Sequence, residues 1–382
     1  MSTANLTELE LKALQPDVIN LSDGHAHQSL GEKTRARIRD LVQDTLSGRP
    51  SDYFQAERQF LVDLERHTHQ AYPAGRTLVT YASSMAMGVI ATHLRRLGRP
   101  VGVICPTFDN IPGILATLDV PMVAVPEDRL WPDPDLDHLD RLGIGALILV
   151  LPNNPTGRCP SRAAVRRLMD WAACRKVLLV LDLAFRWFDE TANWDLIREA
   201  EQRGAEAVSI DDTGKVLSFS DLKAAVITTT SGVAAAIRSI HTQYVLNVSE
   251  LGLRLLSAMM EPDKADNEVR RARDLVAANR RYLDERLAAN PPHLGTDLRM
   301  TQRNDCLSVE WLSIRHGRDR VAALCRSNGL EILIGDHFHW GGDTAEPRGT
   351  HVRLALMRDP GYFARGVDVF VEVLAQHGRE RQ

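Results

Sequence analysis

The chain reads as an α/β protein in which a large, mostly parallel seven-stranded sheet is sandwiched by helices and followed by a smaller α/β unit. Three observations predict this. Short apolar runs recur between residues 78 and 229, helix-compatible segments separate most of them, and the polar stretches that draw attention fall just after the apolar runs. Strands buried on both faces are apolar throughout, and right-handed crossovers lay helices on both sides of a parallel sheet. The strand-like segments are 78–81, 101–105, 122–125, 146–151, 177–181, 207–210 and 224–229; helical patterns occupy 85–96, 111–118, 162–174 and 195–202.

Ahead of the sheet, residues 6–14 form a short amphipathic stretch closed by Pro16, and a polar helical pattern runs from Arg35 to about Tyr72. Behind it, 262–290 reads as a solvated connecting helix, with Glu268-Val269-Arg270-Arg271-Ala272-Arg273 near its start. Strands are expected near 306–310, 331–334 and 351–354, and a closing amphipathic helix from Tyr362. The expected division is an arm or lid over residues 1–40, a large domain over 41–261, the connector over 262–290 and a small domain over 291–382.

Composition narrows the function. With 382 residues there is room for two domains and a substantial core. A formal net charge of −4 argues against a general nucleic-acid binder. The five cysteines, Cys105, Cys159, Cys174, Cys306 and Cys325, form no CxxC pair, so neither a zinc knuckle nor a disulfide framework is indicated. The opening MSTANLTELELKAL lacks the basic-then-apolar order of a secretory signal, and no apolar run approaches the ~20 residues that cross a bilayer. A cytoplasmic protein acting on a small molecule, with no membrane or nucleic-acid partner, is expected.

The residues after the strands ask for a particular chemistry. Asp211-Asp212-Thr213-Gly214-Lys215 looks like half a phosphate loop, but that pattern needs Gly six residues before the Lys and Ser or Thr after it. Those positions hold Ser209 and Val216. A lysine here, Asp182 at the end of a buried strand and the sharp turn Asn153-Asn154-Pro155-Thr156-Gly157 instead suit pyridoxal 5'-phosphate (PLP). That cofactor needs an amine for a Schiff base, an acid to keep its pyridine nitrogen protonated, N–H groups and a cation for its phosphate, and a flat neighbour for its ring. An ionised Asp182 is costly unless paired, and a pyridinium pairs it. Taken alone, Asp182 also reads as a strand-end cap and Asn-Pro-Thr-Gly as an ordinary turn.

The spacing resembles the fold-type I PLP enzymes of the aspartate aminotransferase superfamily. There, Asn-Pro-Thr-Gly precedes the pyridine Asp, and a Ser-x-Ser-Lys motif follows with a basic residue eight positions on. Here Asn154, Asp182, Lys215 and Lys223 stand in that order. The resemblance implies Lys215 as the Schiff-base lysine and Lys223 as a phosphate ligand; the reverse choice would leave Ser231 where the cation belongs. Three departures put ordinary transamination in doubt. Asp212 and Gly214 replace the two serines of the lysine motif, and Phe185 stands where a Tyr hydroxyl usually meets the cofactor.

A fuller match is carried by Asp23-Gly24-His25, Pro106-Thr107-Phe108-Asp109-Asn110-Ile111, Phe185-Arg186-x-Phe188-Asp189, Asp212-Thr213-Gly214-Lys215 and Phe338-His339-Trp340. These runs resemble the PLP-dependent L-arginine oxidases and hydroxylases of guanidino-antibiotic biosynthesis, including the enduracididine pathway, which use molecular oxygen without a metal or flavin. The resemblance implies that Phe108 stacks on the ring, Ser84 helps hold the phosphate and Arg353 clamps the substrate carboxylate with its planar fork. It implies Asp212 and Glu10 as the acids for the arginine side chain, a lid that includes Thr7, Glu10, Asp23 and His25, and a homodimer. Ala184 replaces a serine of that family's Asp-x-Ser-Phe run, which alters the hydrogen bonding near the ring. Without the resemblance, Asp212 and Glu10 would each read more simply as a surface or capping acid.

The mechanism expected from these residues starts with L-arginine displacing Lys215, whose freed amine takes the Cα proton while oxygen accepts electrons. Water added at Cγ, guided by His25, would give 4-hydroxy-2-oxo-arginine; release without it would give 2-oxo-arginine or a dehydro product. Histidine is the side chain suited to proton exchange near neutrality. A plain aminotransferase of a basic amino acid keeps the fold and changes the outcome. A third reading takes His25 and His27 as a strand-end metal pair of an amidohydrolase, with the spacing repeated at His67/His69 and His337/His339. That needs further ligands on successive barrel strands, and the sequence offers none.

Overall fold

The computed structural model describes residues 6–13, 15–47, 52–219, 222–260, 267–289, 298–300, 307–314, 317–341 and 350–380. Within the stretch expected as an arm, 1–40, lie helix α1 (Leu6–Lys12) and a short strand β1 (Ile19–Asn20). Where the polarity pattern runs on from Arg35 to Tyr72, the structure has two helices, α2 (Glu32–Leu46) and α3 (Tyr53–Thr68). Local chemistry sets the second pair of ends. The Asp52 carboxylate accepts from Gln55 N at the start of α3, and His69 closes it in the left-handed region at φ 54°.

The seven expected strands are all present. In chain order they and their helices are β2 (Thr77–Thr80), α4 (Ser83–Leu97), β3 (Val101–Cys105), α5 (Asn110–Thr117), β4 (Met122–Pro126), α6 (Leu136–Leu142), β5 (Ala146–Val150), α7 (Arg162–Arg175), β6 (Leu178–Asp182), α8 (Leu196–Gln202), β7 (Ala207–Asp212) and β8 (Ala225–Thr229). They form one sheet in the order β2-β8-β7-β6-β5-β3-β4. Pairs from β7 through β4 are parallel, whereas β8 runs antiparallel to both β7 and β2. Among the described residues, the connection from β7 to β8 contains a 3-10 turn, Thr213–Lys215, and no crossover helix. A chain without a crossover must return antiparallel. The parallel strands therefore end together at one edge, where ligands bind in such sheets.

Helices α9 (Ser231–Tyr244), α10 (Glu250–Met260) and α11 (Glu268–Ala288) follow. The expected solvated connector needs correction. Val269, Ala272, Val276, Asn279 and Leu283 of α11 recur at helical spacing and are buried, while residues 262–266 and 290 of that expectation lie outside the described residues. The last part of the chain contains β9 (Leu298–Met300), β10 (Val309–Ile314), α12 (Arg318–Ser327), β11 (Leu330–Glu331), β12 (Leu333–Ile334), β13 (His351–Ala355) and α13 (Pro360–Glu380). β12, β13, β10 and β9 make an antiparallel sheet, and β11 pairs in parallel with β1 of the arm. The strand expected near 306–310 starts at Val309; Cys306 lies outside the described residues.

Under the site, β7 is anchored by a buried ion pair. Arg186 is wholly buried and donates to the carbonyls of Thr68 (2.9 Å), Ala192 (3.2 Å) and Trp194 (2.7 Å) and to Gln70 Oε1 (3.2 Å). It stands 3.5 Å from Asp211, whose other oxygen accepts from Tyr72 (3.1 Å) and Gln70 (3.3 Å). Burial pushes the Asp211 carboxyl up and the Arg186 charge draws it back. Arg186→Ala leaves that carboxylate without its cation and is expected to destabilise the fold by about 3–5 kcal/mol, measured by urea unfolding. A loss below about 1 kcal/mol would show that the pair is not what anchors β7.

Candidate active site

A cavity of about 200 Å³ opens at the carboxyl edge of the sheet. Of the residues singled out from the sequence, Glu10, His25, Ser84, Phe108, Asn154, Asp182, Asp212, Lys215 and Lys223 line it. Asp23 and Arg353 stand directly behind this lining, bonded to His25 and to Glu10 and Asn154 respectively. Thr7 belongs to α1, but its side chain lies outside the described residues. No single segment supplies the site; the sheet edge, the arm and β13 meet there.

Lys215 ends the 3-10 turn after β7. Thr213 and Ala224 staple that turn through Thr213 N to Ala224 O (3.0 Å), Thr213 Oγ1 to Ala224 O (3.1 Å) and Ala224 N to Thr213 Oγ1 (2.9 Å). Asp212 Oδ1 accepts from Gly214 N at 2.7 Å, and Oδ2 accepts from Ser83 N at 3.4 Å, near the start of α4. The glycine has a steric reason. A Cβ at residue 214 would lie 3.0 Å from Lys223 Cδ and 3.1 Å from Asp212 Oδ1. Bringing a second lysine and a carboxylate close to the turn thus crowds the position where the aminotransferase pattern carries a serine. Lys215 Nζ is 3.2 Å from His25 Nε2 and 5.8 Å from the centre of the Phe185 ring.

Asp182 closes β6 at the cavity floor. Burial pushes its carboxyl up to about 6 despite a hydrogen bond from Ala184 N (3.0 Å); nearby Asp212 adds to the rise and Lys215 opposes it. The turn that carries Asn154 is held by a residue the sequence did not disclose. Glu127 Oε1 accepts from Asn153 Nδ2 (2.8 Å) and Thr156 Oγ1 (2.7 Å), bracing the turn from below. A Glu after a strand carries no sequence signal for this role. The donor set has the composition PLP requires: an amine, a buried acid in want of a cation, an amide, a helix start at Ser83 and Ser84, a second lysine in the same cavity, and the Phe108 ring.

Arg353 on β13 is fully buried. It donates to Glu10 Oε1 (2.9 Å), Asn154 Oδ1 (3.2 Å) and the Ser22 carbonyl, and lies 5.2 Å from the centre of the Phe338 ring. Its Nε has no acceptor among the described residues. Glu10 and Arg353 were expected at opposite ends of the substrate; in the structure they form an ion pair. α1 is docked by Leu6 N donating to Asp109 Oδ2 (2.8 Å) and by a cluster of Leu6, Trp311, Leu333 and Phe338, with Leu9 and Phe108 packed against it.

The loop after β1 presents His25. Asp23 Oδ1 accepts from His25 N (2.9 Å) and His25 Nδ1 (2.6 Å), and Oδ2 binds His27 Nε2. Burial works against the Asp23 charge, but the bonds from His25 and His27 outweigh it and hold the carboxyl well below the usual carboxylate range. Arg358, also missed in the sequence, donates to the carbonyls of Asn20 (2.8 Å), Asp23 (2.7 Å) and His25 (3.1 Å) and so clamps this loop. The amidohydrolase reading does not survive the fold, which is an open sheet. His25 and His27 converge on Asp23, and His67 Nε2 bonds the Met260 carbonyl at 2.7 Å. Glu10, Asp23 and His25 do bring ligand atoms within 4.8 Å of one another, but each is engaged by protein partners.

The chain matches the family described as aminotransferase class I and II over residues 16–309. No curated protein sequence matches it significantly. Among solved structures it is similar to MppP soaked with the product 2-ketoarginine, with a TM-score of 0.85 and 28% identity over 93% of this chain and 99% of that one. It is also similar to aspartate aminotransferase from Thermus thermophilus with maleate, at TM-score 0.78 and 18% identity over 98% and 97% of the two chains. YbdL from Escherichia coli, for which a methionine aminotransferase function was identified, gives TM-score 0.78 and 16% identity over 97% of each chain.

Two consequences can be measured. Because burial raises Asp182 to about 6, its contribution to stability falls as pH climbs from the unfolded carboxylate range toward 6, and stays unfavourable above. Asp182→Asn should therefore raise the melting temperature of cofactor-stripped protein at about pH 7.5, with the gain vanishing toward about pH 4. Equal gains at both would contradict the assignment. Gly214→Ala should weaken retention of PLP, followed by its absorbance on dilution, because the Lys223 stem must give way by a few tenths of an ångström; unchanged retention would mean the lysine yields freely.

Proposed function

The chain belongs to the class I and II aminotransferase family, and from that premise we propose that it is a PLP- and oxygen-dependent oxidase of L-arginine. The products are 2-oxo-arginine, 4-hydroxy-2-oxo-arginine or both, with ammonia and hydrogen peroxide, in guanidino natural-product biosynthesis. The observation that carries the proposal is the likeness to MppP, seen with 2-ketoarginine, along nearly the whole chain. The site supports it with a buried Arg for one end of an amino acid and cavity-lining acids for a cationic other end.

In this reading Lys215 would hold PLP, Asp182 would pair with its pyridine nitrogen, Asn154 would bond its phenolic oxygen, Phe108 would meet its ring, and Ser84 with Lys223 would hold its phosphate. When bound, PLP supplies an electron sink for the bond broken at Cα. Arg353 takes the substrate carboxylate, which must displace Glu10 from the guanidinium. Glu10 is then free, with Asp212, to meet the substrate guanidinium, and Thr7 and Asp23 belong to the same lid. Lys215 removes the Cα proton, and His25, 3.2 Å from its amine, exchanges protons with it and guides water. Docked α1 keeps bulk water out.

The same proposal takes the protein to be a cytoplasmic homodimer with the arm, large-domain, connector and small-domain division read from the sequence. No described helix is long and apolar enough to cross a membrane.

Purified protein given L-arginine should consume oxygen and form peroxide without an added keto acid. Mass spectrometry under labelled water and labelled oxygen should place water oxygen in any hydroxyl. Keto-acid-dependent amino transfer without oxygen uptake would establish the alternative, a plain aminotransferase of a basic amino acid, which the family match favours. Lys215→Ala should be inactive and lack the visible Schiff-base band; a retained band would refute the lysine assignment. Asp212→Asn should raise KM for arginine by roughly tenfold or more while leaving an uncharged analogue such as citrulline little affected; parallel losses on both would remove Asp212 from guanidinium recognition.

A further inference from the structure

We propose that His27 is a positioning residue for His25: its ring N–H holds the second oxygen of Asp23, so that the first oxygen fixes His25 in the tautomer whose Nε2 lone pair faces Lys215. This rests on the reading that His25 exchanges protons with Lys215.

The side chains form a chain of contacts. Lys215 Nζ lies 3.2 Å from His25 Nε2, His25 Nδ1 lies 2.6 Å from Asp23 Oδ1, and His27 Nε2 binds Asp23 Oδ2. Asp23 is buried, and the two imidazoles keep its carboxyl depressed, so it is an acceptor at both oxygens. An acceptor obliges each ring nitrogen that faces it to carry hydrogen. In neutral His25 that places the proton on Nδ1 and leaves the Nε2 lone pair toward the lysine. Asp23 Oδ1 is fixed further by the backbone N–H of His25, whereas Oδ2 is bonded, among the described residues, by His27.

His27 is placed independently of Asp23. Its backbone N–H donates to the Met357 carbonyl (3.2 Å), and the next residue, Gln28, donates through Nε2 to the Val216 carbonyl (3.0 Å). The ring also lines a second cavity of about 310 Å³ with Asn20, Arg358, Asp359 and Tyr362. The guanidinium of Arg358 is directed at backbone carbonyls, so it does not replace His27 at the carboxylate. Removing the imidazole lets water from that cavity reach Oδ2 and frees the Asp23 carboxyl to rotate, and the His25 tautomer is no longer imposed.

The test compares the native PLP-bound protein with His27→Ala and His27→Gln. A Gln amide keeps a neutral donor near Oδ2. With 15N-labelled histidine rings, and the His25 signals assigned by their loss in His25→Gln, native protein and His27→Gln should show His25 protonated at Nδ1 alone. His27→Ala should show a mixture of tautomers and a kcat roughly tenfold lower, with KM for the amino acid nearly unchanged, and His27→Gln should recover most of the loss. An unchanged His25 tautomer in His27→Ala overturns the proposal, as does a folded His27→Gln that behaves like His27→Ala. The NMR measurement needs no substrate. A tautomer shift in a protein that proves inactive on arginine would uphold the positioning role while refuting the proposed reaction.

Discussion

The arrangement of the site depends on one buried guanidinium. Arg353 enters from β13, and its donors are shared between two segments remote from it in sequence: the arm, through Glu10 and Ser22, and the turn after β5, through Asn154. A buried cation is costly unless paired and hydrogen-bonded, so these segments must converge on it for the fold to be stable. The Phe338 ring supports the guanidinium and also belongs to the apolar cluster that seats α1. On the proposed reading, the clamp for the substrate carboxylate and the latch of the arm are thereby the same group.

The balance of charge around the cavity follows from this. Asp182, Asp212 and Glu10 line it together with Lys215 and Lys223, and burial, with Asp212 nearby, raises the proton affinity of Asp182. Two carboxylates forced together in a poorly solvated space favour a cationic ligand or a proton. On the proposed reading a pyridinium meets one and a guanidinium the other, which gives the surplus acid a use. A dicarboxylic amino acid would meet Asp212 and Glu10 with the wrong sign, so the surplus selects against such substrates as well.

Much of the fold was legible because it rests on local pattern. Seven apolar runs between turn residues became the seven strands, and the intervals linking Asn154, Asp182, Lys215 and Lys223 brought four residues into one cavity. What escaped is set by partners distant in sequence. Nothing near Glu10 announces Arg353, 343 positions away, and nothing near Glu127 announces the Asn153 turn. Arg358 reads as an ordinary charged residue until the chain folds and its donors meet the carbonyls of the 20–25 loop. Gly48 and Pro50 signal the break between α2 and α3 in the sequence itself, whereas the buried face of α11 was masked by charge. Arg is the most frequent residue of α11, yet five buried positions recur at helical spacing.

The departures from the aminotransferase pattern belong together. Gly214 makes room for Lys223 and Asp212, Asp212 takes the place of a hydroxyl, and Phe185 offers Lys215 a ring face where the pattern has a phenol. The lysine thus has fewer hydroxyl partners on the sheet, and the imidazole 3.2 Å from it comes from the arm instead. That imidazole sits on a loop tied by Arg358 to the start of α13, by Ser22 to Arg353, and by Ala26 N to the Gly214 carbonyl. Under the proposed function, proton exchange at Lys215 therefore requires the docked arm. A site that must keep water from a reactive carbanion gains from this coupling, since the group that moves the proton is in place only when the cover is.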